Sequence, residues 1–396
     1  MEHSARPRRG FVAFYRRYTK TWLHALATAA LTAFGMLTFV HNGFAVVAVA
    51  VYVVPPIALY FSGSEFGGVD SGGTESGGTD AGVSSVDEPA AESGESPAEP
   101  DEDSASWTAT DTPTDATLFD AVVTADGAYA VGQDGIVLAD APECEWRVAL
   151  PDGSSADAND LRGADVTTDG NAVWFAGDGG ALGWLNPETG RHVDHSAPSG
   201  ITDNWADIAV AGSEGDETIL LVNGSGQVLC GRHRNGDIAW DDPVKPGSGS
   251  SLCAATLVDT SVGYLCDTNN SAFETEDGGE SFRRIGVESA DGTFTDVAST
   301  SRGDCAVTAD DGVIHRYDDG NWTPIRLGDE ALRALAREDG RTVACGDAGI
   351  IYQRAGATAD WERIPTPASG PLRGVAVGAR RAVAVGEGGT VVVRGD

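Results

Sequence analysis

The chain has 396 residues, with 60 Asp and Glu against 26 Lys and Arg and a formal net charge of −34. That length allows one large domain or two ordinary ones. An acid excess of this size argues against nucleic acid as a partner, because phosphate binding needs clustered cations. Only two lysines occur, Lys20 and Lys245. Scarce lysine, abundant carboxylate and many small residues point to adaptation to high salt, where carboxylates keep a surface hydrated and dense salt screens their repulsion.

Residues 1–21 are basic, with Arg6, Arg8, Arg9, Arg16, Arg17 and Lys20. An uncharged stretch runs from Thr21 to Phe61, too long for a single bilayer span of roughly 20 residues. His41-Asn42-Gly43 breaks it with residues that favour turns. The expectation is a two-helix anchor in the lipid bilayer over 22–61, with spans at about 22–40 and 44–61. Trp22, Tyr52 and Tyr60 fall at the interfaces, and Pro55-Pro56 kinks or ends the second span. No small-residue cleavage site marks a signal peptide. The positive flank holds the N-terminus in the cytoplasm, and two spans return the remainder to the cytoplasmic side. If only the second segment crossed, the remainder would lie outside.

Residues 62–104 carry twelve acids and no base, with almost no large apolar side chain. Such a segment cannot bury enough surface to offset its ordering entropy, so a disordered, self-repelling tether is expected.

From residue 105 to 396 the sequence repeats. Copies begin at Leu118, Leu161, Trp205, Leu252, Phe294, Leu332 and Leu372. Each reads as an apolar strand, a turn, a strand ending near Gly, a short turn, a third strand, then a polar loop and an aromatic strand. The turn before the third strand falls at Gly135, Gly180, Gly226, Ser271, Gly312, Gly349 and Gly389, a spacing of about 42 residues. That is the length of one four-stranded propeller blade, and seven copies make an all-β, seven-bladed β-propeller. The last copy, ending AVAVGEGGTVVVRGD, lacks its aromatic fourth strand. SWTATDTPTD, just before the first copy, matches the missing piece. The strand around Trp107 is therefore expected to complete the last blade and close the ring, which removes an unpaired edge.

TEDGGESF, at 275–282, fits Ser/Thr-x-Asp-x-Gly-x-x-aromatic through Thr275, Asp277, Gly279 and Phe282. With YDDGNW at Tyr317, it makes residues 105–396 resemble the BNR/Asp-box propellers, most of all the photosystem II assembly and stability factor group. The resemblance implies a structural turn at the Asp-box, away from the central binding face. It also implies a helper role in membrane-protein assembly; separately, the salt-adapted composition leads us to expect a halophilic archaeon as the source.

Asp-box propellers also include sialidases, which need an arginine trio, a Tyr nucleophile and paired acids. Arg147, Arg162, Arg283, Arg284, Arg333 and Arg373 are present, but Tyr129, Tyr264 and Tyr352 lie in apolar strand contexts. His192-Val193-Asp194-His195 reads as a loop between blades rather than a metal site, since no third ligand is visible. Arg232-His233-Arg234 reads as a basic island paired with local Asp. The cysteines lack CxxC spacing, and Cys266, Cys305 and Cys345 fall in apolar runs that would bury free thiols. Repeated Asp-Gly pairs form turns and do not supply an EF-hand ligand set. No catalytic residue, cofactor or metal is assigned. The reading is a membrane-tethered, non-catalytic scaffold for an unknown protein partner. The alternative is an enzyme or small-ligand sensor that uses the central channel.

Overall fold

In a computed structural model of the protein, residues 106–395 are described, apart from 142–144, 156, 288–289 and 339. The basic segment 1–21, the expected spans at 22–40 and 44–61, and the linker at 62–104 lie outside these residues. Among the described residues, no helix is long and apolar enough to cross a membrane.

The described chain forms seven four-stranded antiparallel sheets, the blades of a β-propeller. Inner strands begin at the seven positions expected from the repeat: Leu118–Val123, Leu161–Val166, Trp205–Ser213, Leu252–Leu257, Phe294–Ser301, Leu332–Glu338 and Leu372–Val377. We number the blades 1–7 in that order. In blades 1 to 6 the four strands follow one another outward in chain order. In blade 7 the outer place is taken by Thr108–Thr110, which pairs with Val391–Gly395 and sets Thr108 opposite Val393. Just before it, Trp107 is only 3% exposed and packs with Ile351, Leu372 and Val392.

The second strands explain why this sequence folds as stacked blades. Ala128–Gly132, Val173–Gly177 and Gly263–Asp267 are buried at every position. Short, continuous apolar runs bounded by Gly and Asp turns suit strands covered on both faces. Here each face meets a neighbouring blade, so the core is distributed over interfaces. Tyr129 and Val131 of blade 1 pack with Phe175 and Leu161 of blade 2, and Trp174 and Trp184 of blade 2 pack with Trp205 and Ile208 of blade 3.

Every inner strand carries a bulge after its first residue, for example between Leu118 and Asp120, Trp205 and Asp207, and Phe294 and Asp296. The bulge turns the second residue toward the face where the inner strands begin, and the chain then rejoins its ladder. The turns between second and third strands lie at the same face, because alternate strands run back to it. We call this face the mouth.

The structure differs from the expectation at His192-Val193-Asp194-His195. His192–Asp194 is the outer strand of blade 2, not a connecting loop. Its rings are packed inward: His192 stacks on Phe175 and His195 on Trp174, with centroids 6.1 and 5.6 Å apart. The aromatic partners lie on an earlier strand of the blade, so a segment of polar sequence gains its ordering contacts from residues distant in the chain.

Candidate functional site

At the mouth, the side chain at one repeat position varies around the ring. The bulge residue is Phe119, Arg162, Ala206, Cys253, Thr295, Arg333 and Arg373 in turn. Blades 6, 7, 1 and 2 therefore present Arg333, Arg373, Phe119 and Arg162 as a continuous arc. The three arginine side chains are each 36–37% exposed. Each is held by an acid from the turn of its own blade. Arg162 makes a two-pronged contact with Asp178, at 3.1 and 2.8 Å, and its Nη2 also reaches Asp160 at 3.1 Å. Arg333 grips Asp347 the same way at 2.9 and 3.0 Å, and Arg373 pairs with Glu387. The Arg162 guanidinium lies 4.8 Å from the centre of the Phe119 ring, a cation–π contact that ties blades 1 and 2 together. Arg333 holds the Asp347 carboxyl below the usual carboxylate range. The planar forks are fixed before any partner arrives, while their outer faces stay open.

Beside the arc, blades 2 and 3 enclose a groove of about 580 Å³ at the mouth. Trp205, Leu229, Trp240 and Pro243 give it apolar walls, and Asp203, Asp241 and Asp242 stand among its polar lining.

Below the mouth, the next repeat position alternates between acid and small residue. Reading blades 1 to 7 it is Asp120, Gly163, Asp207, Ala254, Asp296, Ala334 and Gly374. Each Asp bonds forward to the following blade: Asp120 accepts the amide of Ala164 at 2.9 Å, Asp207 that of Ala255 at 2.9 Å, and Asp296 that of Leu335 at 2.6 Å. Asp165, two residues beyond Gly163 on its strand, accepts the amide of Val210 at 2.7 Å. These bonds satisfy amides on the free edges of the inner strands. The small residues make the room. A Cβ on Gly163 would sit 2.3 Å from the Asp207 carboxylate, and one on Gly374 would sit 2.6 Å from the Asp120 backbone. Enclosure by the ring raises these carboxyls despite the amide bonds, Asp120 to about 8 and Asp165 and Asp296 to about 7, with Asp207 also well above its usual value. For Asp120 and Asp207, the other carboxylates around the axis push the same way.

On the opposite face, Thr275, Asp277, Gly279 and Phe282 form a compact turn. The Thr275 hydroxyl donates to Asp277 at 2.8 Å and accepts the Gly279 amide at 2.9 Å, and Asp277 accepts the Ser281 amide at 2.9 Å. Phe282 packs against the cluster of Leu220, Cys230 and Phe273 between blades 3 and 4. The four residues act on one another and on the core. Burial pushes the Asp277 carboxyl up, but the Ser281 and Thr275 donors together outweigh it and hold the group below its ordinary value.

The six arginines singled out in the sequence do not converge. Arg147, Arg283 and Arg284 lie on outer strands, away from the three at the mouth. A Tyr–Glu pair does form, which the sequence alone does not assign: the Tyr264 hydroxyl donates to Glu274 at 2.9 Å, and Arg283 pairs with Glu274. The signal is their direct pairing across neighbouring strands. Tyr264 and Glu274 are 0% and 3% exposed, and the hydroxyl also accepts the Gly303 amide at 2.7 Å, so the pair locks the core far from the mouth. Tyr129 and Tyr352 are buried as well. Arg232-His233-Arg234 pairs locally: Arg232 with Asp241 and Glu280, Arg234 with Asp216, and His233, buried, with Glu217 at 2.8 Å. Among the described residues, no group of three or more His, Cys, Asp or Glu is arranged to hold a metal ion.

The fold defines the class: a seven-bladed β-propeller with a side-chain array at one mouth. Solved structures show the same fold at low identity. The WD40 propeller domain of Doa1 is 12% identical at a TM-score of 0.60, covering 73% of this chain and 97% of that one. YCF48 bound to a D1 peptide is 12% identical at a TM-score of 0.59, covering 74% and 96%. YCF48 from Cyanidioschyzon merolae is 14% identical at a TM-score of 0.58, covering 74% and 99%. No family model and no curated protein matches the chain.

Proposed function

We propose that the protein is a membrane-tethered, non-catalytic scaffold whose propeller mouth docks a protein partner, in the service of a membrane complex. The observation that carries this reading is the arc of Arg333, Arg373, Phe119 and Arg162, which crosses four consecutive blades of an otherwise acidic chain. Its forks are pre-aligned by Asp347, Glu387 and Asp178, so a partner carboxylate meets them with little ordering cost. A rigid ring with one variable position per blade is a frame on which specificity is set by side chains alone. YCF48, in one of the similar structures, is bound to a D1 peptide. That supports peptide docking as a use for this fold.

The tether follows from the composition of 22–61 and 62–104, and the salt-adapted acidity suits a halophilic archaeon. Two spans place the propeller on the cytoplasmic side. The Thr275–Phe282 turn fits an Asp-box of the BNR kind. We read the Thr108–Thr110 strand as the clasp that joins the two ends of the ring.

Affinity capture from native membranes in high salt tests the scaffold reading. Wild type should retain a reproducible membrane partner. The Arg333→Glu/Arg373→Glu variant should lose it while keeping its thermal midpoint within a few degrees. Capture that ignores both charges would contradict the mouth as the docking face. For sidedness, the Ser71→Cys variant should resist an impermeant maleimide in intact cells and react at that position after lysis. Fractionation should move the protein off membranes when 22–61 is deleted.

The groove between blades 2 and 3 supports a second reading, a small-ligand sensor. Its indole walls and acidic rim suit a cationic or sugar-like ligand. Ligand-induced quenching of tryptophan emission, lost in Trp240→Ala, would favour it.

A further inference from the structure

We propose that Cys253 and Cys266 form a reversible intramolecular disulfide at the mouth of blade 4, with low-molecular-weight disulfides as the oxidant. The two Sγ atoms are 3.1 Å apart, and both thiols are free. A disulfide needs about 2.05 Å, so roughly 1 Å of approach closes the bond. The bulge between Leu252 and Ala254 creates the encounter. It swings Cys253 off the strand ladder and onto Cys266, which pairs with Ala254 on the second strand. The repeat supplies an internal control. In blade 5 the same two positions hold Thr295 and Thr308, whose hydroxyls meet at 2.9 Å. Facing side chains are thus a property of the position, and blade 4 places two thiols there.

Access comes from the mouth. Cys253 is half-buried at the bulge position that elsewhere carries Arg162, Arg333 and Arg373, while Cys266 is fully buried behind it. Cys230, Cys305 and Cys345 are buried without a thiol neighbour in contact, so among the described residues this pair stands apart.

The chemistry balances as two exchanges. The Cys253 thiolate attacks one sulfur of the small disulfide, and the S–S bond breaks to release one thiolate, which takes up a proton. The Cys266 thiolate then attacks Cys253 Sγ. This expels the second small thiol and leaves the protein disulfide. Two protein thiols are oxidised and one small disulfide is reduced to two thiols. Burial pushes the Cys266 thiol well up, and its hydrogen bond with Cys253 and the nearby charges of Asp296 and Asp207 push it further. The second exchange should therefore quicken as pH rises.

The test uses the reduced full chain incubated with oxidised glutathione, followed by thiol titration under denaturing conditions and peptide mass mapping. The expected result is the loss of two thiols, a linked Cys253–Cys266 peptide, and no retained glutathione. Cys266→Ser, whose hydroxyl the Thr295–Thr308 pair shows to be tolerated in this geometry, should instead stop at a stable glutathione adduct on Cys253. Full retention of thiols, a linkage to another cysteine, or a wild-type chain that holds glutathione on Cys253 would each overturn the proposal.

Discussion

Asp207 of blade 3 holds two amides at once: its own neighbour Ile208 at 2.8 Å, and Ala255 of blade 4 at 2.9 Å. One carboxylate thereby fixes the bulge of its own strand and stitches it to the next blade. Removing it leaves an amide at the channel edge without its acceptor, at a cost of about 1–3 kcal/mol. Asp207→Ala should lower the urea midpoint accordingly at pH 6. Asp207→Asn keeps one of the two acceptor oxygens and should cost less. Equilibrium urea unfolding at pH 6 separates the two.

The pH dependence of stability follows from the same ring. Asp120, at about 8, and Asp165 and Asp296, at about 7, bind protons more tightly folded than unfolded, where Asp titrates near about 4. The folded state therefore holds more protons between about pH 4 and 8, and stability falls as pH rises through that window. Histidines oppose this at the acid end. Burial lowers His192, His195 and His315, so below about 6.5 their contribution favours the unfolded chain. The four raised carboxyls outnumber these three histidines, so the thermal midpoint falls as pH rises from about 5 to 8, less steeply below about 6.5. Asp120→Asn combined with Asp296→Asn should flatten that fall.

Gly279 sits at φ +95°, and a Cβ there would approach Leu220 Cδ2 to 2.5 Å. Gly279→Ala combines a left-handed backbone with overpacking of the interface between blades 3 and 4, worth about 2–4 kcal/mol. Thr275→Ala removes a hydroxyl that serves Asp277 and the Gly279 amide and should cost about 1–2 kcal/mol. Both should lower the midpoint without altering partner capture, since the turn is on the face opposite the mouth.

The blade frame is legible in the sequence because its signals are local. Apolar starts at Leu118 through Leu372 and turn residues before each third strand repeat in register, and every inner strand begins where that pattern puts it. The turn around Thr275 is equally legible, as its bonds span only a few residues. What stays hidden depends on which residues face one another across strands. Asp120, Asp207 and Asp296 have no visible partner until the bulge and the following blade are in view. Tyr264 and Glu274 lie ten positions apart, and Cys253 and Cys266 thirteen, and only strand pairing brings them together. The outer strand at His192 escapes a sequence reading because its three residues are too few to show a two-fold apolar alternation. Blade 4 ends in an outer strand of just two residues, Arg283–Arg284, for which no pattern could form.

The claim on which the architecture turns is that the strand after Trp107 clasps the last blade and shuts the ring. Thr108 and Val393 face each other in the ladder between Thr108–Thr110 and Val391–Gly395. Facing antiparallel residues sit about 4.5–5.5 Å apart at Cα, within reach of a disulfide. The direct measurement is oxidation of a Thr108→Cys/Val393→Cys variant, with the linkage read by peptide mass mapping and stability by urea unfolding. The account predicts a disulfide between the two introduced cysteines in nearly every chain and a raised unfolding midpoint. Two unlinked cysteines, or a bond that forms only after denaturation, would contradict it.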